Sequence, residues 1–314
     1  MRLLHTSVVG DDETDDLGHM NVRFYMLRVE AANARLMDEF GLGTAALAER
    51  GQALVRVDSY CKYNREQFPG ATLQVLGGVL DAADDGLKMY WEVRNPAQDA
   101  HAASFILDFA LQDLATRSRQ PLRDDALHRA QNAQTPLPEY GAPRSLSLDP
   151  PRLDVSLAEI TARVGDGGRS MMGGLMERQI EPEFCDAHGY LRPGEDIMLG
   201  PKQRAALMET RAAVGPQAQM SATGIRYGWA WMETRAMVFE TPRAGEVLRS
   251  IGADIALGQK TRQSRRWIFN ETTGRMAGAD DMVGICLDLD ARKAIVIPPE
   301  VREDLVRVFV PEFA

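Results

Sequence analysis

Cysteine is scarce in this chain of 314 residues: Cys61, Cys185 and Cys286 are odd in number, far apart and outside any Cys-x-x-Cys spacing. That excludes a disulfide framework or a zinc knuckle and suits a reducing compartment. Long apolar runs are missing as well. No window approaches the roughly 18 consecutive apolar residues of a membrane span, and Met1-Arg2-Leu3-Leu4-His5 lacks the apolar stretch of a signal peptide. A cytoplasmic location and no membrane partner are therefore expected. Basic residues are outnumbered, 36 Lys and Arg against 45 Asp and Glu, for a net charge of −9. No nucleic-acid partner is expected, because a broad basic face would be needed to hold one. The five histidines show no metal-ligand spacing, and no His-Glu-x-x-His, Gly-x-Ser-x-Gly elbow or P-loop occurs. Gly41-Leu42-Gly43-Thr44-Ala45-Ala46 fits the loose dinucleotide fingerprint but follows a helical pattern instead of a strand, so it reads as a helix stop. What is left, 45% apolar and 26% charged residues, describes an ordinary globular protein of about two domains.

The chemistry concentrates in Thr14-Asp15-Asp16-Leu17-Gly18-His19-Met20-Asn21-Val22-Arg23-Phe24-Tyr25. Asp15 and Asp16 end an extended segment that runs from His5 to Val9 and then turns polar, Gly18 permits a sharp turn, and Asn21 can cap a helix beginning at Val22. A carboxylate then stands beside the N–H groups of a helix start, a positive terminus suited to an anion or a developing oxyanion. Asp16 reads as a cap or solvated loop residue.

Asp15-x-x-Gly18-His19-Met20-Asn21-x-x-x-Tyr25 resembles the signature of hotdog-fold thioesterases of the 4-hydroxybenzoyl-CoA thioesterase type. The plant acyl-carrier-protein thioesterases are similar, with an Asp, an Asn two residues on and a His four on; here Leu17 replaces that Asn. The resemblance implies an α+β hotdog fold, an acyl-CoA substrate and no metal or redox cofactor. It implies Asp15 as nucleophile or general base, His19 in support, and the amides around Arg23, Phe24 and Tyr25 as oxyanion hole. Gly18 and Asn21 belong to the same substrate-binding turn.

Down the chain, apolar residues from Phe24 to Phe40 recur at helical spacing and Gly41 ends the run. Strand patterns follow over 53–63, 72–80, 87–94 and 103–113, punctuated by Pro69-Gly70, Asp84-Asp85-Gly86 and Asn95-Pro96. A short strand, one long helix and four strands is the order of an antiparallel sheet curled around a central helix. Residues 131–154, with Pro136, Pro138, Pro143, Pro150 and Pro151, read as a linker between an N-terminal domain over 1–130 and a C-terminal one over 155–314. The second half repeats the first: Asp186-Ala187-His188-Gly189-Tyr190-Leu191 lies over Asp15 to Met20, and Leu207-Met208-Glu209 over Leu36-Met37-Asp38. The offset is constant, since 186 − 15, 189 − 18 and 208 − 37 all equal 171. Strand patterns recur over 227–241, 246–257, 261–270 and 276–288. Two tandem hotdog units, paired as an internal pseudo-dimer, are expected, with homo-oligomers of such chains allowed.

In the second copy Asp186 matches Asp15, but Tyr190 replaces His19, and Arg192-Pro193 replaces Asn21-Val22, which delays the helix to around Pro201. His188 stands where the plant-type motif has its Asn, as a substitute partner for Asp186. A CoA ligand also needs phosphate contacts, and Lys62 and Arg65 in Lys62-Tyr63-Asn64-Arg65, with the basic run Lys260 to Arg266, are the candidates. Two rival readings remain. A hotdog hydratase would carry an Asp-x-Asn-x-x-His pattern, which is not found, and a non-catalytic acyl-CoA sensor would carry an output domain, for which there is no spare length.

Overall fold

The structure is a computed structural model and describes residues 1–15, 18–152, 154–165, 175–193, 195–200, 202–203 and 219–313. The chain divides into two units, Met1–Arg144 and Ser145–Ala314. The division falls inside the stretch expected to be a linker, and the helix Asp124–Asn132 runs into that stretch from the first unit.

The first unit contains β1 (Arg2–Val8), α1 (Arg23–Phe40), α2 (Thr44–Ala48), β2 (Gln52–Tyr63), β3 (Thr72–Ala83), β4 (Gly86–Asn95), β5 (Ala100–Asp113) and α3 (Asp124–Asn132). Its antiparallel strands lie in the order β1-β3-β4-β5-β2. Along α1, Tyr25, Val29, Ala32, Leu36 and Phe40 are buried; they fall three or four apart and form one apolar stripe. Gly41 ends the helix in the left-handed region at φ 75°, where its amide reaches the Asp38 carbonyl and Leu42 N reaches the Met37 carbonyl at 2.8 Å. On β4 the side chains alternate as a pleated strand requires. Leu87, Met89, Trp91 and Val93 join the core against α1, each contributing roughly 1.5–3 kcal/mol of burial. Gly77 pairs with Trp91 across β3 and β4, and a Cβ there would collide with the indole.

The second unit contains α4 (Leu157–Val164), β6 (Met176–Gln179), β7 (Gln219–Met220), β8 (Arg226–Val238), β9 (Val247–Leu257), β10 (Thr261–Asn270), β11 (Arg275–Asp288), β12 (Lys293–Ala294) and α5 (Pro299–Val308). Its main strands follow the same order, β6-β9-β10-β11-β8. The duplication is visible hydrogen bond by hydrogen bond. The 3-10 turn Asp11–Glu13 recurs as Pro182–Phe184, and the bridge Thr14 to Met20 recurs as Cys185 to Leu191; 182 − 11 and 185 − 14 both equal 171. From β3 and β9 onward the offset is larger and again constant, since 247 − 72, 261 − 86 and 275 − 100 all equal 175. Both units therefore share one order of antiparallel strands, and in the first the long helix packs on the sheet.

Several expectations are adjusted. β1 starts at Arg2, earlier than the pattern from His5 onward indicates. Helices α3, α4 and α5, of nine, eight and ten residues, are not expected from sequence, because each is too short for a periodic pattern to stand out from polar surroundings. Of the second-half helix expected near Pro201 only Lys202 and Gln203 are described, both helical, and Pro201 and the stretch Leu207-Met208-Glu209 lie outside the described residues. No helix among the described residues is long and apolar enough to cross a membrane.

The sheet of the second unit differs chemically from that of the first. At offset 175, Val79, Leu87, Met89, Trp91 and Phe105 of the apolar core correspond to Asp254, Arg262, Ser264, Arg266 and Asp280. These are paired among themselves. Arg266 Nε donates to Asp280 Oδ2 at 2.8 Å, Arg262 Nη1 to Asp254 Oδ2 at 3.3 Å, and the Ser264 hydroxyl also bonds Asp254.

Candidate active site in the first unit

The site is built on the turn between β1 and α1. Asp15 N donates to the His19 carbonyl at 3.0 Å and Gly18 N to the Asp15 carbonyl at 2.9 Å, a reversal that requires the positive φ of 78° at Gly18. Arg28, buried on α1, fastens this turn to its surroundings. Its guanidinium donates from Nε to Ser7 Oγ at 2.8 Å, from Nη2 to the Val8 carbonyl at 3.1 Å, and from Nη1 to the Phe24 carbonyl at 3.1 Å. It also grips Glu13 with both ends of its fork, at 3.1 and 2.6 Å. Burial would raise the Glu13 carboxyl, but Arg28 and the Gly10 amide outweigh it and hold the carboxyl below its ordinary value. Strand, turn and helix start are thereby locked on one side of Asp15.

His19 stands between two carboxylates. Its Nδ1 lies 3.2 Å from Asp15 Oδ1 and its Nε2 lies 3.2 Å from Glu66 Oε1. Contact with Asp15 raises the imidazole pKa, burial opposes the rise, and the charges of Asp15 and Glu66 add to it, with a net upward result. The Nδ1 approach departs from an ideal hydrogen-bond line, so attraction between the charges does much of the holding. Glu66 is not among the residues expected from sequence. The available signal is its place at the end of Lys62-Tyr63-Asn64-Arg65, where a carboxylate closes a basic run just past β2.

The other expected residues fall into two groups. Gly18, Asn21, Phe24 and Tyr25 surround the turn, but three of them act as framework. Asn21 Oδ1 accepts the Arg23 amide at 3.1 Å, and Phe24 N and Tyr25 N donate to the Asn21 and Val22 carbonyls at 3.0 and 3.2 Å. The amides of Arg23, Phe24 and Tyr25 are thus already engaged in closing the first helical turn. The free-amide oxyanion cradle expected there is not found, because the side chain and carbonyl of Asn21 and the carbonyl of Val22 cap the helix first. Tyr25 is buried, which pushes its phenol upward, and its hydroxyl donates to the Arg65 carbonyl at 3.0 Å. Arg23 is exposed, with its guanidinium 4.5 Å from the Phe24 ring.

Lys62 requires a correction. It is 4% exposed, and its ammonium donates to the Tyr140 and Ala142 carbonyls at 2.7 and 2.5 Å, so it faces the chain and not a phosphate. A strand position two residues from a loop has even odds of pointing inward, which spacing alone does not decide. Arg65 is exposed at the surface.

The second copy of the turn is preserved as backbone and altered as chemistry. Gly189 has φ 78°, and Asp186 N and Gly189 N repeat the bonds of Asp15 N and Gly18 N at 2.8 and 3.0 Å. Asp186 Oδ1 accepts the amides of His188 and Tyr190 at 2.9 and 3.2 Å, as a turn-forming aspartate does, and the His188 ring is exposed. Tyr190, at the place of His19, takes a bond from Arg243 Nη2 at 2.7 Å. Leu191 N donates to the Pro242 carbonyl as Met20 N does to that of Gln67, which places Thr241 where the first unit has Glu66. The imidazole and the second carboxylate are both replaced.

Residues 9–132 match the model of the thioesterase-like superfamily. No curated protein matches the chain. Among solved structures, an acyl-ACP thioesterase from Bacteroides thetaiotaomicron is similar at 10% identity, with 89% of this chain and 96% of that one covered and a TM-score of 0.57. The 12:0-ACP thioesterase from Umbellularia californica is similar at 11% identity, with 90% and 93% covered and a TM-score of 0.61. At such identities the likeness is one of fold. The chain thus has a hotdog-type thioesterase fold along most of its length, and the sequence pattern of the thioesterase-like superfamily runs through its first unit.

Proposed function

We propose that the chain is a thioesterase that hydrolyses an acyl-CoA to the free acid and CoA at the Asp15 turn. The observation that carries this reading is the His19 imidazole between Asp15 and Glu66. A thioester needs an attacking oxygen, a donor for the carbonyl oxygen and a proton for the leaving sulfur. Asp15 is the attacking carboxylate or the base that deprotonates water. With water as nucleophile, its oxygen bonds the carbonyl carbon and its proton passes to Asp15; the C–S bond then breaks as the leaving sulfur takes that proton from Asp15, which returns to the carboxylate. His19, biased toward the charged form by its two carboxylates, is the donor beside Asp15; it takes over the role first assigned to the helix amides, which are engaged elsewhere. Arg23 and Arg65, exposed near the turn and just past β2, suit the phosphates of CoA.

The hydrogen-bond-level repeat supports a double-hotdog chain in which the second unit, lacking the equivalents of His19 and Glu66, completes the fold without a second working site. The structural neighbours named for acyl-carrier-protein substrates make a carrier protein the alternative thiol.

The test is a panel of acyl-CoAs and acyl carrier proteins incubated with a thiol reagent, repeated with Asp15→Asn. Free thiol released by the natural protein and reduced by roughly a thousandfold in the variant supports the reading. A tight complex with no release would make it a binding module, and hydration of an enoyl-CoA would make it a hydratase.

A further inference from the structure

Away from the turn, the outer face of the first sheet carries a buried polar cluster that the proposed chemistry does not use. The Glu92 carboxylate, 0% exposed, accepts the Tyr90 hydroxyl at 3.2 Å, the Tyr140 hydroxyl at 3.0 Å and Arg94 Nε at 2.5 Å. Arg94 Nη2 also bonds the Tyr140 hydroxyl at 2.8 Å. Lys62 clamps the Tyr140 and Ala142 carbonyls, and the His101 ring meets that of Tyr140 edge-on at 5.0 Å. Gly141 lies so close over the Tyr90 ring that a Cβ would meet its hydroxyl at 2.5 Å. Burying a carboxylate and an ammonium costs several kcal/mol each unless both are fully paired. Here the pairing serves to fasten one short segment, residues 139–144, onto β2, the strand that leads into Glu66.

The fastening continues to the site. Arg144 Nη2 donates to Asn64 Oδ1 at 3.1 Å, Asn64 Nδ2 meets His101 Nδ1 at 3.2 Å, and the amides of Asn64 and Arg65 both reach the Ala102 carbonyl, at 2.8 and 3.1 Å. From the opposite side Tyr25 holds the Arg65 carbonyl, and Asn95 Nδ2 donates to Gln67 Oε1 at 2.8 Å. Glu66 is thus the half-exposed residue of a stretch gripped before and after it. We infer that residues 139–144 form a strap that sets the position of Glu66 against His19, and that Lys62, Glu92 and Tyr140 are positioning residues of this site. The strap acts through backbone placement: loosening it lets the end of β2 move and lengthens the Glu66 to His19 contact.

The inference rests on the Asp15, His19 and Glu66 arrangement as the working site, and its test is readable without substrate. Among the described residues, the charged groups facing the His19 ring are Asp15 on its own turn and Glu66 just past β2. Proton NMR titration of His19 is compared in the natural protein, Tyr140→Phe and Lys62→Met, with fold checked by circular dichroism. Tyr140→Phe removes one oxygen and leaves the packing intact. The expected result is a His19 midpoint lowered toward 6.5 by about half a unit or more in both variants. If a thioester is turned over, kcat falls about tenfold with KM unchanged. An unchanged His19 midpoint in two folded variants overturns the strap. A lowered midpoint in a protein that cleaves no thioester leaves the strap standing and removes the thioesterase reading, so the two failures are told apart.

Discussion

His19 sits where two negative side chains converge, and the pH dependence follows from that placement. Its folded-state pKa lies above the ordinary 6.5. The pairing therefore stabilises the fold fully below pH 6.5, and this stabilisation is lost as pH rises through the raised folded value. Activity that needs the imidazolium should hold a plateau past 6.5 and fall on the alkaline side. Glu66→Gln removes one of the two carboxylates. It should move that alkaline limb to lower pH, with a loss of roughly tenfold to a hundredfold in kcat, measured as a pH–rate profile on the acyl-CoA panel. Asp15 and His19 were legible in the sequence because they share one short motif. Glu66 was not, because the contact spans 47 residues, 66 − 19, and depends on where the end of β2 passes the turn.

At the scale of elements, the turn and the start of α1 stand on two backbone features. Gly18 has φ 78°, and among the described residues nothing lies near its Cβ position. Gly18→Ala should therefore cost only the left-handed strain, about 1–2 kcal/mol, read from urea unfolding. Arg28→Met leaves Glu13 part-buried without its cation, and the expected loss is larger, about 3–5 kcal/mol, with weaker activity because β1, the turn and α1 come apart together. The long helix, the order of strands and the stop at Gly41 could be read from spacing and turn chemistry, which act locally. The state of the Arg23, Phe24 and Tyr25 amides could not, since one asparagine decides between a cap and a free donor. The inward turn of Lys62 was likewise decided by a segment some 80 residues later.

Across the whole molecule, one plan is written twice with two kinds of interior. Where the first sheet has Trp91 and Phe105, the second has a buried Arg266 and a part-buried Asp280 bonded to each other. Burial raises the Asp280 carboxyl while Arg266 opposes that rise. Removing one partner, as in Asp280→Asn, should destabilise the second unit by about 3 kcal/mol, whereas the double change Arg266→Met with Asp280→Leu should recover most of it. Thermal or denaturant unfolding of the full chain measures both. The repeat in the turn was visible in sequence because Asp, Gly and their spacing were kept. The strand repeat is obscured by the change of apolar residues into charged ones and by a slip of four positions, 175 − 171.

That slip also provides a map for transplanting chemistry. Since Thr241 takes the place of Glu66 and Tyr190 that of His19, while the reversal at Gly189 keeps the same backbone, Tyr190→His together with Thr241→Glu would install a second imidazole between acids beside Asp186. The recipient carbonyls and glycine already hold the same backbone geometry, so the graft asks for side chains alone.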